Sequence, residues 1–128
     1  MTRIEFEKYI LEKYDAATDF PWLQHPDYQV FRHKDNQKWF ALIMDIPKNK
    51  LGLEGTELLN VVNLKCNPIM ISSFWRESGV FPGYHMNKNN WLTVALDGSA
   101  SEDTIRFLLD MSFQLTGKNS RNRQYRPS

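Results

Sequence analysis

Apolar positions along the chain fall into runs whose spacing predicts their elements. Over residues 2–17, Ile4, Tyr9, Ile10 and Tyr14 recur at helical spacing, with Leu11 at the margin. Thr2 with Glu5 three residues on is a capping box that starts this helix. Residues 18–26 carry Pro21 and Pro26 and read as a loop. Residues 28–33 and 38–45 are apolar-rich runs around the polar turn Lys34-Asp35-Asn36-Gln37, the pattern of a hairpin. Residues 47–55 connect it to a third strand over 58–64. Asn67-Pro68 opens a second helix reaching about Glu77 and stopping before Gly79. Residues 80–90 suit a short strand and a turn, and residues 91–96 another strand closed by Asp97-Gly98. Ser99, with Glu102 three residues on, caps a last helix, and Ile105, Leu108, Leu109, Ser112, Phe113 and Leu115 form its buried face. Gly117 ends it.

This order shows no sustained strand–helix–strand alternation. It predicts an α+β domain with a mainly antiparallel sheet of four to five strands and helices packed on one face. A chain of 128 residues is the size of one domain, expected over 1–117, with a flexible basic tail over 118–128. The composition is globular: 41% hydrophobic and 24% charged. The single cysteine, Cys66, cannot close an internal disulfide. The N-terminus is charged from Arg3 and lacks a signal-peptide core, and no run reaches the ~20 apolar residues of a membrane span. A cytoplasmic, monomeric protein is the expectation.

Charge changes the picture only through its distribution. The net charge is +1, but residues 28–96 hold eight Lys/Arg against five Asp/Glu. Residues 1–27 hold six acids against three bases, and 97–116 four against one. The tail adds Lys118, Arg121, Arg123 and Arg126. Segregation of this kind allows a positive face on a near-neutral protein.

Some stretches do not follow from periodicity: Phe20-Pro21-Trp22, Val30-Phe31-Arg32-His33, Lys38-Trp39-Phe40-Ala41-Leu42, Leu64-Lys65-Cys66-Asn67-Pro68, and Gly79 to Lys88 followed by Trp91. Together, over residues 20–115, they resemble the MmcQ/YjbR family of small bacterial proteins. Two positions depart from that pattern: Gly83 stands where an alanine is usual, and Asn90 where a histidine is usual. The resemblance implies a YjbR-like, secretion-chaperone-like fold in a double-wing arrangement. It also implies DNA binding, which rests on fold analogy.

The residues leave three readings open. In the first, hairpin tips contact double-stranded DNA through Arg32, Lys34, Asn36, Lys38, Lys65, Asn87 and Lys88: cations suit phosphates and amides suit base edges. In the second, Arg32, His33, Tyr84, His85 and Lys88 converge on a pocket for a small anion, with or without catalysis. The third is an adaptor that docks a protein partner through an exposed apolar patch. The tryptophans read mainly as core, with base stacking as the alternative. His33, His85 and Cys66 lack the spacing of a metal site. Leu51-Gly52-Leu53-Glu54-Gly55 lacks the lysine of a phosphate loop. No cofactor and no catalytic set is expected.

Overall fold

The computed structural model describes residues 1–117; the basic tail expected over 118–128 lies outside the described residues. The elements run α1 (Arg3–Lys13), β1 (Ala16–Asp19), β2 (Gln29–His33), β3 (Trp39–Pro47), a 3-10 turn (Lys48–Leu51), β4 (Leu58–Lys65), α2 (Ile71–Phe74), β5 (Val80–Pro82), β6 (Trp91–Ala95) and α3 (Glu102–Thr116). The strands form one sheet in the order β1-β2-β3-β4-β6-β5, with every neighbour antiparallel. The α+β architecture is as the sequence predicts, with six strands instead of four to five.

The capping box forms: the Thr2 hydroxyl accepts from the Glu5 N–H, and the Glu5 carboxylate accepts from the Thr2 N–H. This box also holds the Glu5 carboxyl below its ordinary value, the bond from the Thr2 backbone first. Of the stripe read from the sequence, Ile10 is buried and Tyr9 and Tyr14 pack against the core, whereas Ile4 and Leu11 are exposed and Phe6 takes the other buried position. The helix stops at Lys13 because Tyr14 turns extended, and residues 16–19 leave it to pair with β2. The second helix is a single turn over Ile71–Phe74. Asn67 uses its Oδ1 to accept from the Ile69 N–H, a local turn that replaces the first part of the expected helix. Ser101, not Ser99, caps α3 by accepting from the Thr104 N–H, while Ser99 closes a turn on Asp97.

Both faces of the sheet are apolar. On one, Phe31, Phe40, Ala41, Ile43, Val62, Leu64, Leu92 and Val94 pack under Phe6 and Ile10 of α1 and Ile105, Leu108, Leu109 and Met111 of α3. On the other, Val30, Leu42, Met44, Ile46, Leu59, Val61 and Ala95 form a second cluster. Helices cover only the first face. Side chains from the β1–β2 and β5–β6 loops, with Trp39 and Leu51, lie over the second.

A bulge interrupts the β2–β3 ladder. Phe31 pairs with Ala41 but Arg32 with Trp39, leaving Phe40 as the extra residue. Beyond the Ala41–Leu64 pair, the ladder to β4 is closed by a helix side chain: Ser112 Oγ donates to the Phe40 carbonyl at 2.6 Å and accepts from the Lys65 N–H at 2.9 Å.

Candidate functional site

The helix-free face carries a cavity of about 350 Å³. Its floor is Leu42 and Met44 of β3 with Asn63 of β4. Its walls are Trp22, His25 and Tyr28 from one loop, Tyr84, His85 and Met86 from the other, and Trp39 at the start of β3. Most of this lining is aromatic, and the rings are mutually ordered. His25 stacks on Tyr28 at 4.3 Å, Trp22 meets Tyr28 edge-on at 6.3 Å and Trp39 at 5.7 Å, and Tyr84 stacks on His85 at 4.0 Å.

Each wall is held from behind. Arg3 at the start of α1 donates to the Asp27 carbonyl at 2.7 Å, to Gln29 Oε1 and to Asn60 Oδ1, while its Nε pairs with Glu7. The loop bearing Trp22, His25 and Tyr28 is thereby tied to α1 and β4. On the opposite side, Tyr84 N–H donates to the Thr93 hydroxyl at 2.8 Å, and the Tyr84 carbonyl accepts from Asn63 Nδ2 at 3.0 Å. The Thr93 hydroxyl donates in turn to Asn63 Oδ1. His85 follows at φ 58, a left-handed conformation that a side chain of this size rarely adopts.

The chemistry of the cavity is that of a binding slot. Burial raises the Tyr28 hydroxyl above its ordinary pKa, reinforced by Asp45 and by Tyr84, so it stays a neutral phenol. The Tyr28 and Tyr84 hydroxyls have no hydrogen-bond partner among the described residues. Both histidines are exposed at the rim. Among the described residues no group of three His, Cys, Asp or Glu side chains is placed to hold a metal. No helix among them is long and apolar enough to cross a membrane.

The sequence-predicted residues are dispersed relative to this site. Arg32 is bound by Asp19 at 3.0 Å and Lys34 by Asp15 at 2.8 Å, both carboxylates on or beside β1. Asn36 caps its own turn: its Oδ1 accepts from the Lys38 N–H and its Nδ2 donates to the Thr116 carbonyl. Asn87 likewise accepts from the Asn89 N–H, and Lys88 donates to the Gly83 carbonyl at 3.1 Å. Lys38 and Lys65 are brought together. With Gln37, Trp39, Met86, Trp91 and Thr116 they line a groove at the sheet end where β3 starts and β4 stops.

Of the alternative set, Tyr84 and His85 share the cavity, and His33 lies elsewhere. It is buried on the helix side against Phe40 and Phe113, with Nε2 at 2.8 Å from the Thr116 hydroxyl. That hydroxyl donates to the Ser112 carbonyl, so the imidazole Nε2 carries a proton and donates to it. Burial, partly offset by Asp35, lowers the pKa of His33. Cys66 sits in the helix-side core, where burial pushes its thiol up to about 11. A thiol activated by a helix start is therefore not what Cys66 provides, and it is on the opposite face from His85. Gly83 is closely approached by Trp91, whose carbonyl oxygen would lie 2.9 Å from a Cβ built there. Asn90 offers its backbone carbonyl to the Cys66 N–H at 2.7 Å.

Sequence reasoning passed over His25, Tyr28 and Asn63. The available signal was the spacing of Trp22, His25 and Tyr28: a ring every third residue in a proline-bounded loop.

Known proteins match this chain over most of its length. The chain is 38% identical over 116 residues to the uncharacterized protein YyaQ of Bacillus subtilis (strain 168), covering 91% of this chain and 98% of that one. It is 29% identical over 115 residues to the uncharacterized protein YjbR of Escherichia coli K12, covering 89% and 86%. A crystal structure of a Pseudomonas syringae protein superposes with a TM-score of 0.88 at 46% identity, covering 91% of this chain and all of that one. A Deinococcus radiodurans protein shares the fold at a TM-score of 0.64 and 21% identity, covering 95% of this chain and 87% of that one. The YjbR family model matches residues 11–115, and the chain belongs to the YjbR family.

Proposed function

We propose that this protein is a binding module that takes a small planar molecule into the aromatic cavity on the helix-free face of its sheet. The observation that carries the reading is the convergence of Trp22, Tyr28, Trp39, Tyr84 and His85 from two loops and a strand onto one open slot. Aromatic-lined concavities of a few hundred Å³ with a few polar groups at the edge are what small-molecule sites look like. Here the rings supply stacking area, the two phenols supply edge hydrogen bonds, and the floor of Leu42 and Met44 supplies dry contact.

Contact with duplex DNA through the two hairpin turns draws its support from the family fold. At the first hairpin Arg32 and Lys34 are neutralised by Asp19 and Asp15 and Asn36 bonds to its own turn and to Thr116 of α3, and at the second Asn87 bonds within its own turn. The cavity is therefore the better-supported site.

The test is a titration of the intact protein with planar heteroaromatic probes such as indole and adenine, followed by tryptophan fluorescence. Saturable quenching is expected, lost in Trp22→Phe/Trp39→Phe. A response that is linear in probe, or that persists in the double variant, contradicts the reading.

A further inference from the structure

The aromatic cavity has a neighbour at the sheet end. Trp39 and Met86 line both it and the groove at the sheet end, so the two concavities are neighbours that share these side chains as their common border. The groove differs from the cavity in chemistry: it adds Lys38 and Lys65, with Trp91 beside them. Lys65 and Trp91 are cross-strand partners on β4 and β6, and Lys38 immediately precedes Trp39 on β3.

These two cations share one concavity, and no carboxylate neutralises them among the described residues. Among the described residues, Arg3, Arg32, Lys34, Lys48 and Arg106 each pair with a carboxylate. Lys38 and Lys65 do not, and neither do Lys8, Lys13, Lys50, Arg76 and Lys88; what sets Lys38 and Lys65 apart is that they line one groove whose described lining holds no acidic side chain. Two ammonium groups in one concavity, with no carboxylate in its described lining, present an anion with a pair of cations. Lysine suits phosphate as a point charge on a flexible stem.

Resting on the cavity reading above, we propose that the ligand is nucleotide-like. Its heteroaromatic ring lies in the cavity among Trp22, Tyr28, Tyr84 and His85, and its phosphate reaches past Trp39 to Lys38 and Lys65. A phosphate with two negative charges matches two lysines better than a carboxylate does, and a base offers edge atoms to the free Tyr28 and Tyr84 hydroxyls. Base and phosphate occur together in a free nucleotide and at an unstacked position of a single strand, so both sources present the same chemistry.

The experiment is isothermal titration calorimetry of the full chain with adenosine, AMP, a 5′-phosphorylated single-stranded hexanucleotide and the same sequence as a duplex. The deciding readout is the ratio of AMP to adenosine affinity. That ratio is expected to be about tenfold or more, the scale of charge-assisted hydrogen bonds. It should fall towards one in Lys38→Gln/Lys65→Gln and persist in Lys50→Gln, a lysine remote from the groove. A single strand binding more tightly than AMP identifies nucleic acid as the source, and equal or weaker binding identifies the free nucleotide. Equal affinity for adenosine and AMP overturns the phosphate subsite and leaves the cavity reading standing. Binding of neither overturns the nucleotide assignment, and the cavity reading then stands or falls on the indole and adenine titration. A preference for duplex that the double glutamine variant does not reduce also overturns it.

Discussion

Asn63 holds Tyr84 by its backbone. Its Nδ2 donates to the Tyr84 carbonyl at 3.0 Å, and its Oδ1 fixes the Thr93 hydroxyl that accepts the Tyr84 N–H at 2.8 Å. One fully buried amide thus sets where the β5–β6 loop sits on the sheet, and with it one wall of the cavity. Asn63→Leu removes these bonds and leaves the Tyr84 carbonyl without its partner. Losing a buried hydrogen bond costs roughly 1–3 kcal/mol. Urea unfolding should show that loss, and the probe affinity of the cavity should drop with it. A variant that loses stability while keeping full probe affinity would separate Asn63 from the site.

His85 occupies the left-handed region at φ 58 and stacks on Tyr84. Backbone strain of this kind costs on the order of 1–3 kcal/mol and persists where the surroundings over-determine it. His85→Gly relieves that strain while loosening the unfolded chain, two effects of opposite sign and similar size. The expected outcome is a stability within about 1 kcal/mol of the parent together with weakened probe binding. A large destabilisation with binding intact would make His85 a structural residue.

Ser112 completes the sheet from a helix. Its hydroxyl bridges the Phe40 carbonyl and the Lys65 N–H where the bulge interrupts the ladder. Ser112→Ala removes the partner of the buried Phe40 carbonyl and of the part-buried Lys65 N–H and should cost roughly 2–3 kcal/mol, more than an exposed Ser→Ala change. The comparison is Ser112→Ala against Ser73→Ala by thermal melting. Equal effects would contradict the bridging role.

His33 gives the fold a defined acid sensitivity. Its folded-state pKa lies below the ordinary 6.5 because burial disfavours the imidazolium; Asp35 pulls up and Lys38 pulls down. The unfolded chain therefore binds the proton more readily, and stability falls as pH drops below about 6.5. Above that range this group contributes no slope. Asp15, Lys34 and Asp35 line the shallow surface beside it. His33→Gln, which keeps a donor for Thr116, should lose less stability between pH 7 and 5 than the parent does. An equal or greater loss would contradict the assignment.

Much of the fold was legible because it is local. The capping box at Thr2, the hairpin turn at residues 34–37 and the stripe of α3 are written in adjacent residues. β1 was not legible, since Ala16–Asp19 is a short, half-polar edge strand made into a strand only by pairing with β2. That miss had a consequence at the site: Asp15 and Asp19, read as helix end and loop, are the groups that neutralise Lys34 and Arg32. The second buried face had a local sign in the unbroken run from Trp39 to Met44. Such a run indicates a strand covered on both sides, whereas alternation would indicate one. The cavity itself depends on two loops meeting across the sheet, which no spacing within either loop records.

Chemical-shift mapping of the full chain titrated with adenine tests the cavity most directly. Saturable shifts are predicted for the amides and ring protons of Trp22, His25, Tyr28, Trp39, Tyr84 and His85, with Phe6, His33 and Leu108 on the helix side unmoved. Shifts confined to the helix side, or none from any of the six, would contradict a ligand slot on the helix-free face.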